Sequence, residues 1–159
     1  MLQEPIIMTF VVIVNLIAII MTYLTFKKPG YGRFLFGGMF LLAGIFNLYY
    51  AFFNPDEFIY YTEFAVFDLY KEFFIGIYSD NSKLILMSIA GAQLVTGFGF
   101  WSKGAFVKYA SIAGIIFLIG ILPMGLGAAF PSTLIMAAGI YKTYTRSFNK
   151  NLWDKFKFV

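Results

Sequence analysis

The chain has no cysteine and no histidine. Without cysteine its residues form no disulfide, no thiolate metal site and no Cys-based redox centre. Without histidine, imidazole-ligated haem, His-based zinc sites and Ser-His-Asp catalysis are excluded as well. Proton transfer near neutral pH would fall to a perturbed carboxylate or lysine. Charge is also scarce, at 13% of residues, where soluble domains carry about 25%. The glycines show no phosphate-loop spacing. No basic stripe interleaved with aromatics is present, so nucleic acid is not an expected partner.

What the chain has is apolar length. It is 60% hydrophobic and 21% aromatic, which places it in the membrane class. Five apolar runs are expected to cross a bilayer, at about residues 5–26, 34–53, 84–101, 106–122 and 127–144. The first follows MLQE, which carries an acid and no basic residue, and its core is long. A span is therefore expected there rather than a cleaved signal peptide. With the amino terminus outside, the cytoplasmic segments hold ten of the twelve Lys and Arg residues, against one acid, Asp154. The outer segments hold Lys71 and Lys83 against seven acids. Lys and Arg asymmetry sets orientation, so the carboxyl terminus is expected in the cytoplasm of a prokaryotic cell, with the lipid bilayer of the inner membrane as the first partner.

The hairpin of residues 84–122, two apolar runs around the turn Ser102-Lys103-Gly104, is expected to be the packing centre. Ser88, Ala92 and Gly97 stud its first run, and Ala110 and Gly114 form a small-xxx-small face on its second. Gly37 and Gly44 lie two turns apart on the preceding helix. Residues 54–83 are too charged to span and predict one or two short helices lying in the outer interface or over the bundle, with FIYYTEF also compatible with an extended strand. The stretch is expected to end in a loop, Ser79-Asp80-Asn81-Ser82. Residues 145–159 predict a short amphipathic helix on the inner surface, with Phe148, Leu152, Trp153 and Phe156 on one face.

Three side-chain amides lie within spans: Gln93, Asn47 and, in the first span, Asn15. A polar group at membrane depth needs a partner. One reading is an interhelical hydrogen bond worth roughly 1 kcal/mol. The other is a pocket whose amides bind a quinone carbonyl or a lipid ester. The two spans run antiparallel with an outer connection, so Gln93 and Asn47 are expected to approach in the outer half. Gln93, Gly97 and Phe100 share one helical face, and Ala43, Asn47 and Tyr50 another. The candidate ligand-binding residues are therefore Gln93, Asn47, Gly97, Phe100 and Tyr50. No catalytic residue and no metal ligand is assigned. Asp56, Glu57, Glu63, Asp68 and Glu72 have no EF-hand-like spacing and read as a solvated outer face.

From Arg33 to about Tyr144 the chain resembles the DoxX-like family of small membrane proteins. The resemblance lies in GRFLFGGMFLLAGIFNLYY, AGAQLVTGFGFW, VKYASIAGIIFLIGI and ILPMGLGAAFP. It implies a four-helix membrane core and, for some family members, a link to quinone or sulfur oxidation. Two departures stand out: an extra amino-terminal span, and Gln93 where many members carry Glu. The expectation is an all-α, five-span bundle. It is read as a non-enzymatic membrane protein that binds an apolar ligand, a quinone or lipid, or joins a larger membrane complex. The alternative is a membrane component of a quinone-linked oxidoreductase with a redox protein partner.

Overall fold

The computed structural model describes residues 3–156 and is helical throughout, with no strand among them. The long helices are α1 (Gln3–Lys27), α2 (Pro29–Phe53), α4 (Ser79–Trp101), α5 (Ala105–Ile121) and α6 (Ser132–Tyr144). Helix α3 (Asp68–Phe73) is short and runs through a π-helical turn, Phe74–Tyr78, directly into α4. Four helical segments are long and apolar enough to cross a membrane: Ile6–Lys27, Pro29–Phe53, Asp68–Trp101 and Ala105–Ala128. The fifth apolar run departs from expectation. Only 13 residues of it are α-helical, a rise of about 20 Å at 1.5 Å per residue, short of a hydrocarbon core of about 30 Å.

The five long helices close a ring: α1 packs on α2, α2 on α4, α4 on α5, α5 on α6, and α6 on α1. The largest contact is between α2 and α4, so the centre of packing is this pair and not the hairpin of residues 84–122. Glycine explains the closeness. A Cβ on Gly97 would lie 2.9 Å from the Gly37 carbonyl oxygen, and one on Gly44 would lie 3.0 Å from the Ala90 oxygen. The Gly37 and Gly44 face is thus the α4-facing side of α2. Gly114 leaves room for the Phe40 ring and Ile140, and Gly99 for Ala110. Ser88 and Ala92, by contrast, are exposed on the outside of the ring. Phe36, Phe40, Phe100, Val107 and Ile140, all almost fully buried, form the heart of this half.

Residues 54–83 differ from expectation in detail. Pro55–Phe64 is a 3-10 helix, not a strand. The expected loop at residues 79–82 is the first turn of α4, with a kink at Asn81 (φ −135°, ψ 23°). The 3-10 helix is fastened down by Tyr78, whose hydroxyl donates to the Pro55 carbonyl at 2.7 Å, and by Ser82, which donates to Asp56 Oδ1 at 2.7 Å. It also meets the link after α5: the Val66 amide donates to the Pro123 carbonyl at 2.9 Å. At Gly125 the backbone has φ +58°, and a Cβ would lie 2.7 Å from the Phe64 oxygen, so both conformation and space require glycine there.

The opposite end is closed by Arg33, which is 4% exposed. Its guanidinium donates to the carbonyls of Phe100 (2.9 Å), Trp101 (3.2 Å) and Ser102 at the end of α4, and to the Lys150 carbonyl at 3.1 Å. The last carbonyls of a helix lack intrahelical donors and carry partial negative charge, which a cation at that position neutralises. The Phe148 ring lies against the guanidinium at 4.6 Å. The tail is therefore a strap rather than an amphipathic helix. It is tied by Gly104 N–H to the Phe148 carbonyl (2.8 Å) and Leu152 N–H to the Trp101 carbonyl (2.9 Å), and only Trp153–Phe156 is helical, as one 3-10 turn. The rest of the expected tail helix, residues 157–159, lies outside the described residues.

Candidate functional site

Away from Arg33, towards the Asn54 end, the ring surrounds a partly open cavity of about 490 Å³. Its walls follow from helical spacing. Met39, Ala43 and Asn47 of α2 lie four residues apart, as do Ile85, Ile89 and Gln93 of α4, so each trio projects from one face. Helix α5 adds Phe117 and Ile121, and α1 adds Phe10 and Val14. Phe58, Phe74 and Tyr78 from residues 54–78 roof it.

The floor and far wall come from α6. Helices α1 and α6 run parallel, since Asn15 Nδ2 donates to the Ala129 carbonyl (3.0 Å) and Thr22 Oγ1 to the Ile135 carbonyl (2.9 Å). Helix α6 therefore begins about level with the middle of α1, and the space above it is left to the cavity. Gly127, Ala128 and Ala129, then Ser132, Thr133 and Met136, line this side.

The polar groups are few and specifically placed. Asn47 Nδ2 donates to Gln93 Oε1 at 2.7 Å. Gln93 is 3% exposed, and Asn47 is half-buried. An amide offers a carbonyl oxygen and an NH2 group. The pair uses one of each on itself, whichever way round the two amides are oriented. One amide oxygen and one NH2 are left without a partner among the described residues. Across the cavity the Thr133 hydroxyl is buried with no hydrogen-bond partner among the described residues; Asn15 Oδ1 on α1 is likewise unpaired there but is not part of the cavity lining. Burying such a group unpaired is unfavourable by about 1–3 kcal/mol, which a ligand that pairs with the Thr133 hydroxyl recovers. Among the described residues no charged side chain lines this cavity.

The expected meeting of Gln93 and Asn47 in one half of the bundle is what the structure contains. The other three candidates lie elsewhere. Gly97 is at the α2 contact, against Leu41 and Gly37. Phe100 is fully buried between Phe36 and Phe40, with ring centroids 6.3 and 6.0 Å away. Tyr50 packs on Phe46, Tyr49 and Phe58 and backs the roof without facing the space. Gly97 and Phe100 do share the buried face of Gln93, but one and two turns further toward Arg33, where the ring is filled. The residues that line the space run the other way along the same stripe, through Ile89 and Ile85.

The cavity can hold a neutral, mainly apolar molecule and orient it through hydrogen bonds; amides and a hydroxyl offer no proton transfer near neutral pH. Comparison with protein-family models, curated proteins and solved structures finds no match to the chain.

Proposed function

We propose that the protein is a multi-pass membrane protein that binds a neutral apolar ligand, a quinone or a lipid, in the cavity beside Asn47 and Gln93. The observation that carries this reading is the amide pair of buried Gln93 and half-buried Asn47: it holds itself in place with one hydrogen bond and leaves a donor and an acceptor beside an otherwise apolar space of ligand size. The test is mass spectrometry of small molecules retained through mild-detergent purification. Gln93→Leu is expected to retain less ligand at unchanged yield. Equal retention by the parent and the variant overturns the reading.

In this reading the chain crosses a prokaryotic inner membrane five times with the amino terminus outside. The link Leu122–Ala128 and the residues after it complete the crossing that α6 is too short to make alone. Parallel α1 and α6 support it, because the first and fifth crossings of an alternating series run in the same sense. Basic residues at the Arg33 end, among them Lys28, Lys103 and Lys150, support the orientation. The resemblance to DoxX-like proteins fits the same scheme, with α2, α4, α5 and α6 as the four-helix core and α1 added. Single cysteines can be read without background in this cysteine-free chain. Probes at Asp56 and Asp80 are expected to label from outside intact cells, and probes at Lys28 and Lys103 are not. Outside labelling at Lys103 overturns the five-span scheme.

A further inference from the structure

A second space, of about 640 Å³, lies beside the first. The two share Phe73, Phe74, Ile89, Ile121 and Met124 as lining, so they are separated by side chains and not by backbone layers. The second runs between α3 with its π turn and the end of α5, where Leu69, Ile77 and Gly120 complete its wall. Leu69 and Ile77 are 74% and 63% exposed, so the groove opens on the outside of the ring. The Tyr70 hydroxyl donates to the Gly120 carbonyl and so ties α3 to α5 across this groove. Among the described residues Glu72 is the one charged residue that borders it.

We infer that the two spaces form a single site for a neutral amphiphile with one long chain. The head group lies against the Asn47–Gln93 pair, and the chain passes beside Phe74 and Ile121 into the groove beneath the Tyr70–Gly120 tie. This rests on the ligand-binding reading above and adds the shape and charge of the ligand. A charged head is disfavoured because no described residue of the inner cavity supplies a counter-charge to offset its desolvation, and Glu72 at the groove repels an anion. A compact ligand would use only the inner cavity. The groove, apolar and continuous with it, adds packing contacts that only a chain can reach. Because the chain would otherwise lie in equally apolar lipid, the gain from the groove is modest and comes from packing.

The shared chemistry, a carbonyl- or hydroxyl-bearing head on one chain, belongs both to prenylated quinones and to monoacylglycerols. The test uses the full chain in nanodiscs and measures binding of two probe pairs by competition. One pair is a quinone ring with a short or a long isoprenoid tail; the other is monoacylglycerol with a short or a long acyl chain. Within at least one pair the long-chain probe is expected to bind severalfold tighter, and the pair that does so identifies the source. Leu69→Trp and Ile77→Trp, two exposed positions that line only the groove, should bring the long-chain probe down to the short-chain affinity and leave the short-chain probe unaffected. Gln93→Leu should weaken both. Equal affinity of long and short probes, or a long-chain advantage that survives both Trp variants, overturns the single-site inference while leaving the ligand reading intact if Gln93→Leu still weakens binding. If no probe binds the parent, or Gln93→Leu changes none, the ligand reading falls and this inference with it.

Discussion

The two halves of the bundle are built from the same helices and solve opposite problems. In the Arg33 half, Gly37, Gly97 and Gly99 draw backbones together, Gly139 makes room for the Phe36 ring and Thr22, and Phe36, Phe40 and Phe100 fill what remains. In the Asn47 half, α6 has not yet begun, the π turn and the Asn81 kink interrupt the α3–α4 helix, and short 3-10 segments cover the gap. Close packing is therefore local: a helix pair held by glycine contacts at one end can leave room at the other without losing its register. The closed half supplies the rigidity against which a few polar groups in the open half can be held in position.

The largest expected effect tests what closes the tight half. Arg33→Ala removes four hydrogen bonds to backbone carbonyls and frees the tail. Hydrogen bonds to charged groups contribute about 1.5–3 kcal/mol, so detergent unfolding should show a loss of roughly 3 kcal/mol or more. Arg33→Lys should rescue little, because an ammonium lacks the planar fork that reaches several carbonyls at once. A variant as stable as the parent would mean that the strap and the α4 terminus hold without it.

A sharper comparison lies within one helix. Gly97→Leu should destabilise by about 1–3 kcal/mol through overpacking against Gly37 and Leu41. Gly91 has no neighbour within 4 Å of a Cβ, so Gly91→Ala should be neutral or stabilising by up to about 1 kcal/mol. Equal melting shifts in the two variants would remove the distinction between the closed and open sides of α4.

The smallest effect concerns the amides. A double-mutant cycle with Asn47→Ala and Gln93→Leu should give a coupling of about 0.6–1.7 kcal/mol, the range of interhelical hydrogen bonds in membranes. Additive effects on stability would mean that the two side chains act separately in the bilayer.

The Asn47–Gln93 contact was legible in the sequence because it needs only two antiparallel spans and an outer connection. The small-residue faces were legible for the same reason, as spacing on a helix maps directly onto its neighbours. The cavity's direction was not. From Gln93 the stripe reads equally well toward Phe100 or toward Ile85, and only the early end of the packed core decides between them. The short α6 was hidden too, since Gly127 to Tyr144 has the composition of a span. Its start at Ser132 follows a left-handed residue, Ala129 (φ 50°), whose carbonyl is held by Asn15 from another helix. Arg33 read as one more orienting charge. Its burial depends on the carbonyls of Phe100 to Ser102 arriving from a helix 67 residues later in the chain.

The π turn at Phe74–Tyr78 has a consequence of phase. An α-helix advances about 100° per residue, and a π turn accommodates one residue more before the chain returns to the same azimuth. Everything ahead of it, Tyr70 included, is thereby rotated relative to Ile85, Ile89 and Gln93 behind it. A chain one residue shorter here would turn Tyr70 off Gly120 by roughly a quarter-turn or more while leaving the amide pair where it is. The length of this five-residue segment thus acts like the tooth count of a gear. It sets which face of α3 meets α5 independently of which face of α4 meets α2.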